Sequence, residues 1–245
     1  MHTFLKDIRE TILPDRDSPT GPLPPLLLAL TVVTGLVDAF SYLVLGHVFV
    51  ANMTGNVVFL AFALMGAPGF SIPASIAALT AFGLGAAIGG RVGVSLAREK
   101  ARLLGTSTTV QSVFIAVSVV LAGLAGDSVS EGFRYALIVV LGVSMGIQNA
   151  VARQLAVPDL TTTVLTMTIT GITADSSLAG GGGTRAGRRW LTVAAMFVGA
   201  LVGAVFIVNA EKVYALALAL VIAVVVTGTT RMLGSADRPW AAANP

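Results

Sequence analysis

The sequence has no cysteine and only two histidines, and charged residues make up 11% of the chain. Without cysteine the protein forms no disulfide bond and no thiolate metal site, and two histidines are too few for an imidazole metal site. A soluble domain usually carries about 25% charged residues. These shortages argue against a disulfide-rich, zinc-binding or ordinary soluble protein, and we expect no metal and no other cofactor.

Hydrophobic residues make up 55% of the chain, and its mean hydropathy is +0.88. This composition is typical of a polytopic membrane protein, which has the lipid bilayer as its partner. Because 245 residues leave only short connections between apolar segments, we predict one transmembrane domain at 23–231, with tails at 1–22 and 232–245. The net charge is +3, and the Arg and Lys residues responsible for it lie in short loops. It therefore indicates membrane topology and no nucleic-acid partner.

An acidic residue inside one apolar segment and a polar break in the next are the most unusual features. Asp38 lies within the first long segment, and a charge at bilayer depth costs about 2.5 to 3.5 kcal/mol unless it meets a partner or water. Four small polar residues then divide the following segment into two short pieces: Asn52, Thr54, Gly55 and Asn56. Irregular backbone at this depth is tolerated only where protein or a water-filled cavity covers it.

The second half of the chain repeats the first, so we predict a duplication with repeat one at 23–126 and repeat two at 133–230. Three landmarks recur in the same order: 35–39 with 146–150, 53–56 with 165–168, and 85–89 with 199–203. In this alignment Asn149 takes the position of Asp38. Arg153 takes the position of Tyr42. The last landmark is a GxxxG pattern, which suits helix packing or a homodimer interface.

Loop charge distinguishes two topologies. If all eight apolar segments cross the membrane, the basic loops at 98–102 and 185–189 lie on opposite sides, against the positive-inside rule. If the two polar-broken segments enter and leave on one side, both loops and Arg231 become cytoplasmic. We therefore predict an all-α protein of the inner membrane with cytoplasmic termini. It has six full transmembrane helices plus two short broken or re-entrant segments, as two inverted repeats.

Several motifs also carry a family resemblance. From Gly35 the chain reads G-x-x-D-A-x-S-Y-L-x-L-G, and from Phe49 it reads F-x-A-N-M-T-G-N, followed later by G-I-Q-N-A and T-T-x-V-L-T. Over about 26–231 this resembles the YoaK-like family of uncharacterised bacterial multi-pass membrane proteins. The resemblance implies about six crossings in the inner membrane and supplies no activity.

Asp38 is the leading candidate for an ion-coupling residue, because a carboxylate in a dry helix bundle can bind and release a proton or cation. The alternative is structural: hydrogen bonds to Tyr42, Asn52 or Arg153 hold Asp38 without turnover. The carboxylate is costly and its counterpart Asn149 is neutral, so we favour the functional interpretation.

The polar break offers a second candidate. A half-helix that starts near Thr54 presents amide groups that suit an anion or a carboxyl group, although Asn and Thr also cap freed backbone. The residues predicted for substrate binding or coupling come from both repeats: Asp38, Tyr42, Asn52, Thr54, Gly55, Asn56, Gln148, Asn149, Arg153, Thr163, Thr166 and Thr168.

We expect a secondary transporter or permease of an unidentified small solute or ion. A structural or sensory membrane protein without transport is the alternative. An intramembrane hydrolase is less favoured: Ser144 lies in a G-x-S-x-G pattern, but the pattern sits inside an apolar span and His47 is the only candidate base. We therefore expect that the protein is not an enzyme.

Overall fold

The structure is a computed structural model that describes residues 2–15, 18, 20–126, 128–160, 162, 165–175, 180, 185–234, 240 and 241. Its helices are α1 His2–Ile12, α2 Leu23–Val44, α3 Met53–Leu64, α4 Ile72–Ser95, α5 Lys100–Leu124, α6 Glu131–Leu155, α7 Leu165–Ala174, α8 Ala186–Asn209 and α9 Lys212–Gly234. Six of these, namely α2, α4, α5, α6, α8 and α9, are long and apolar enough to span a membrane. Helices α3 and α7 have 12 and 10 residues, about half the length that a bilayer requires. The predicted all-α class is confirmed.

The start of α5 differs from the sequence prediction. The sequence predicts a basic loop at 98–102, but α5 already begins at Lys100. Leu103 and Leu104 in its first turns are buried in an apolar cluster at this end of the bundle. This packing extends the helix through the charged stretch, because a buried apolar face stabilises a helix more than local propensity does.

In the bundle, helices of one repeat pack mainly on helices of the other repeat. Helix α4 of the first repeat packs on α6 of the second, and α8 of the second packs on α2 of the first. Helix α5 packs on its own counterpart, α9. The first helix of each repeat is the most enclosed: 67% of the α2 span and 61% of the α6 span are buried, against 17% for α8. The centre of the molecule is therefore formed by α2 and α6.

Glycines bring these helices into close contact at equivalent positions of the two repeats. In each contact a Cβ on the glycine would overlap the carbonyl oxygen of its partner, and the pairs are Gly85 with Val143, Gly199 with Val32, Gly146 with Phe82, and Gly35 with Met196. Only glycine allows backbones to approach this closely. The duplication thus extends to individual backbone contacts, and both predicted GxxxG surfaces serve internal packing.

Each short helix belongs to a segment that enters and leaves at one end of the bundle. In the first repeat, His47 Nδ1 lies 3.0 Å from the carbonyl oxygen of Gly69, so the two limbs of the segment meet. In the second repeat, Arg189 binds Asp159 before α7 and Asp175 after it, with N–O distances of 2.9 and 2.6 Å.

These two junctions lie at opposite ends of the bundle. Helix α6 begins at the end of the bundle where α2 stops, as the contact between Gly46 and the guanidinium of Arg134 shows. The segment after α2 and the segment after α6 therefore enter from opposite ends. The prediction of six crossings, two re-entrant segments and two inverted repeats is confirmed.

Helix α1 and Trp240 lie at the end of the bundle where α2, α5 and α8 begin, which we call the basic end. Here Asp7 of α1 accepts a hydrogen bond from the amide of Arg188 at 3.1 Å, and Trp240 is buried against Gly21. The basic residues at this end include Arg98, Lys100, Arg102, Arg153, Arg185, Arg188, Arg189 and Arg231. The positive-inside rule predicts that the basic end faces the cytoplasm.

Candidate functional site

Two buried side chains bind the unwound loop between α2 and α3. Asn56 Oδ1 accepts a hydrogen bond from the amide of Phe49 at 2.9 Å, and Asn56 Nδ2 donates to the carbonyl of Phe49 at 2.5 Å. Asp38 Oδ1 accepts from the amides of Val50 at 3.3 Å and Ala51 at 3.0 Å. Asn56 is 0% exposed and Asp38 is 4% exposed. Because buried backbone groups need partners, these two side chains make the irregular loop possible.

The partners of Asp38 agree only in part with those predicted for a structural role, because Asn52 is among them through its backbone amide whereas Tyr42 and Arg153 are not. Its interactions come from backbone amides, including the amide of Asn52. Tyr42 and Arg153 contribute none of them. Inverted repeats place equivalent residues at opposite ends of the bundle, and Arg153 is exposed in the last turn of α6, far along the axis from Tyr42. Asp38 Oδ2 is buried and accepts no hydrogen bond of ordinary geometry from the described residues.

Tyr42 instead belongs to a group of rings that closes the first re-entrant segment. We call this group the aromatic cluster: Tyr42, His47, Phe49, Phe59, Phe62 and Phe70. The ring centroids of Tyr42 and Phe49 lie 5.0 Å apart, and those of Phe59 and Phe70 lie 5.1 Å apart. These contacts fix α3 against the ends of the neighbouring spans.

An ion cluster of Asp159, Asp175 and Arg189 closes the second re-entrant segment. The Arg189 guanidinium also donates to the carbonyl of Gly171 in α7 at 2.6 Å. Thr192 donates its hydroxyl to the carbonyl of Asp159 at 3.1 Å. The side chains of Arg189 and Asp159 are only 15% and 17% exposed, so this pair is largely shielded from solvent.

The predicted residues of the second repeat are arranged differently from those of the first. Asn149 Nδ2 donates to the carbonyl of Met145 at 2.9 Å, one turn back in α6. Thr168, at the position equivalent to Asn56, is also buried. Thr163 lies outside the described residues.

A cavity of about 550 Å³ lies where the tips of the two re-entrant segments face each other. It is lined by Ala51, Asn52, Met53, Thr54, Gly55, Val58, Phe59, Phe82, Asn149, Leu165, Thr166 and Met196. The lining follows the pseudo-symmetry: Thr54 and Thr166 are equivalent, and so are Phe82 and Met196. The side chains of Asn52, Thr54 and Thr166 are exposed into this space.

The cavity brings together five of the predicted site residues: Asn52, Thr54, Gly55, Asn149 and Thr166. Asp38 and Asn56 lie behind its wall and hold the loop that forms it. Thr168 is buried away from this lining, while Tyr42 and Arg153 lie elsewhere.

Gln148 belongs to a separate polar cluster in the bundle interior. Its Oε1 accepts a hydrogen bond from Gln111 of α5, and its Nε2 donates to Thr34 of α2 at 2.8 Å. Gln111 and Thr34 are 0% exposed. Sequence reasoning missed Gln111, although a glutamine inside an apolar helix is a readable signal. It also missed the ion cluster, whose members are far apart in sequence.

Ser144 is 0% exposed in the middle of α6, and its hydroxyl oxygen has no partner among the described residues. His47, the one candidate base, is instead exposed at the far end of α2 and contacts Gly69. The structure therefore does not bring the two residues of the hydrolase hypothesis together.

Comparison with known proteins gives a family but no activity. A family model described as "Protein of unknown function (DUF1275)" matches residues 26–229. The chain is also similar to the UPF0700 transmembrane protein YoaK of Bacillus subtilis (strain 168), with 34% identity over 154 residues. That match covers 62% of this chain and 66% of the relative, just under two thirds of its length. No solved structure matches. The apolar helices and the transmembrane relative identify an integral, multi-pass membrane protein.

Proposed function

We propose a function from the geometry of the cavity, since this chain belongs to the DUF1275 family and the description of that family gives no activity. The protein is a secondary transporter or permease of a small solute, with Asp38 as the ion-coupling residue. It acts in the inner membrane with its basic end towards the cytoplasm.

The position of the cavity is the observation that supports this proposal. It lies between the tips of two re-entrant segments that enter from opposite ends of an inverted-repeat bundle. Solute sites of secondary transporters lie near the midplane at the repeat interface, where broken helices meet. A volume of about 550 Å³ falls within the usual range of about 300 to 1,000 Å³ for small-molecule sites.

Asp38 couples to the cavity through the unwound loop. Its carboxylate accepts hydrogen bonds from Val50 and Ala51, and Ala51 and Asn52 line the cavity. A charged acceptor binds backbone amides more strongly than a neutral one, so protonation of Asp38 loosens the wall of the site. Because binding linkage is reciprocal, solute in the cavity then changes the proton affinity of Asp38.

Flux across proteoliposomes tests the proposal. The wild type, Asp38→Asn and a control, Glu211→Gln, are reconstituted, and pH-dependent uptake is recorded for a panel of radiolabelled metabolites. Glu211 is an exposed acid between α8 and α9 that does not line the cavity, so the control removes a carboxylate outside the site. We expect saturable, pH-dependent flux of at least one compound, with the pH dependence lost only in Asp38→Asn.

Two results would count against transport or coupling. No flux for any compound, with protein that remains folded, excludes transport and leaves the structural or sensory interpretation. Flux whose pH dependence survives Asp38→Asn removes the coupling role from Asp38 and leaves the permease.

A further inference from the structure

The chemistry of the cavity lining narrows the class of solute. Among the described residues that line it, none carries an ionisable side chain. Its polar groups are amides and hydroxyls, contributed by Asn52, Thr54, Asn149 and Thr166. Each of these side chains can both donate and accept a hydrogen bond. The lining therefore offers hydrogen bonds to a polar group without offering a counter-charge.

A charged solute fits this lining poorly. Transfer of an ion from water into a low-dielectric site is costly unless an opposite charge pairs with it. The buried acid Asp38 lies behind the loop and directs Oδ1 towards the amides of Val50 and Ala51. An anion has no cationic side chain to meet in the described lining, and a cation has no direct access to the carboxylate.

The remainder of the lining is apolar and partly aromatic. It consists of Ala51, Met53, Gly55, Val58, Phe59, Phe82, Leu165 and Met196. Phe59 and Phe82 present ring surface, and the methionines adapt to irregular shapes. A solute that fills the site thus needs an apolar body beside its hydrogen-bonding group.

We infer that the cavity selects an uncharged amphipathic solute, in which a small apolar body carries a neutral amide-like or hydroxyl-like group. This inference rests on the proposed function of the cavity. It departs from the anion preference that a half-helix beginning near Thr54 suggests, because the described lining contains no basic side chain to support such a preference.

Two sets of probes of similar size test the inference, because within each set one functional group is neutral, anionic or cationic on the same apolar body. The first set is nicotinamide, nicotinate and 3-(aminomethyl)pyridine, and the second is propionamide, propionate and propylamine. Binding of each labelled probe to the full-length protein in nanodiscs is measured at neutral pH. We expect the amide of at least one set to bind about tenfold more tightly than its acid and its amine, which corresponds to about 1.4 kcal/mol.

Variants locate the binding. Thr166→Val and Asn149→Ala remove hydrogen-bonding groups from the cavity and are expected to weaken amide binding about 3- to 10-fold. Thr106→Val makes the same chemical change as Thr166→Val on an exposed face of α5 and should leave binding unchanged. Thermal unfolding of each variant confirms that a loss of binding is not a loss of fold.

The outcomes separate the two proposals. Tighter binding of an acid or an amine than of its amide overturns the inference about charge, while the cavity stays a solute site. Equal binding of all members of a set overturns it as well. Absence of binding for every probe at millimolar concentration, with folded protein, overturns both the inference and the small-solute site.

Discussion

The two re-entrant segments share one backbone design and differ in the chemistry that holds them. In the first segment, a ring contact network and the bond from His47 to Gly69 join the two limbs. In the second, Arg189 joins them by binding Asp159 and Asp175. Deeper in the bundle the ionisable side chain belongs instead to the first repeat, which carries the buried acid Asp38. The second repeat carries neutral Asn149 at the equivalent position.

This comparison shows what duplication preserved and what it left free to change. The glycine contacts between helices are identical in kind across the repeats, because backbone spacing permits no substitute. The side chains at the two ends and at the two loops have diverged. The two re-entrant segments therefore respond to different conditions, because an ion cluster closes the one at the basic end and aromatic packing closes the other.

The largest effect is expected at the ion cluster. Arg189→Gln leaves Asp159 largely buried without its cation, and breaking a buried ion pair in this way costs about 3 to 5 kcal/mol. The free energy of unfolding in detergent should fall by this amount. Arg185→Gln removes an exposed guanidinium from the same end and should change it little. Equal effects of the two variants would show that the cluster is an ordinary surface contact.

A smaller and symmetrical effect is expected at the glycine contacts. Gly85→Ala and Gly199→Ala each place a methyl group against a backbone carbonyl, which should destabilise the bundle by about 3 kcal/mol, the upper end of the overpacking range. A Cβ atom on Gly83 would meet no other atom within 4 Å, so Gly83→Ala should be neutral or slightly stabilising. Thermal unfolding of all three variants measures this. Tolerance of one contact and not the other would break the equivalence of the repeats.

The smallest effect is expected at the loop of the first repeat. Asn56→Ala leaves the amide and carbonyl of Phe49 without their partner, at a cost of about 2 kcal/mol. Because the loss is confined to the loop, amide hydrogen exchange should rise at 49–51 and remain unchanged in α4. Protection that stays the same at 49–51 would contradict the role assigned to Asn56.

The sequence predicts the features that depend on composition along the chain. Span lengths follow from hydropathy, and the glycine pattern reveals the duplication, because both are properties of neighbouring residues. The break at Asn52–Asn56 is also readable from its residue types. Loop charges then favour the re-entrant topology.

The features that depend on how distant elements meet were not predicted. The amide partners of Asp38 lie across the loop, and no spacing rule encodes them. Arg153 was matched to Tyr42 by position in the repeat, but inversion separates equivalent residues along the bundle axis. Gln111 and Gln148 meet between helices, and Arg189 gathers two acids from either side of α7. Each of these contacts exists only once the helices are packed.

Accessibility of two single cysteines tests the central claim, that the re-entrant segments enter from opposite faces of the membrane onto one cavity. The chain has no cysteine, so Met65→Cys, at an 86% exposed position after α3, and Arg185→Cys, before α8, each introduce one label site. A membrane-impermeant maleimide should label Met65→Cys from outside intact cells and Arg185→Cys only after the cytoplasmic face is exposed. Labelling of both positions from the same face would contradict the inverted arrangement and the function proposed for it.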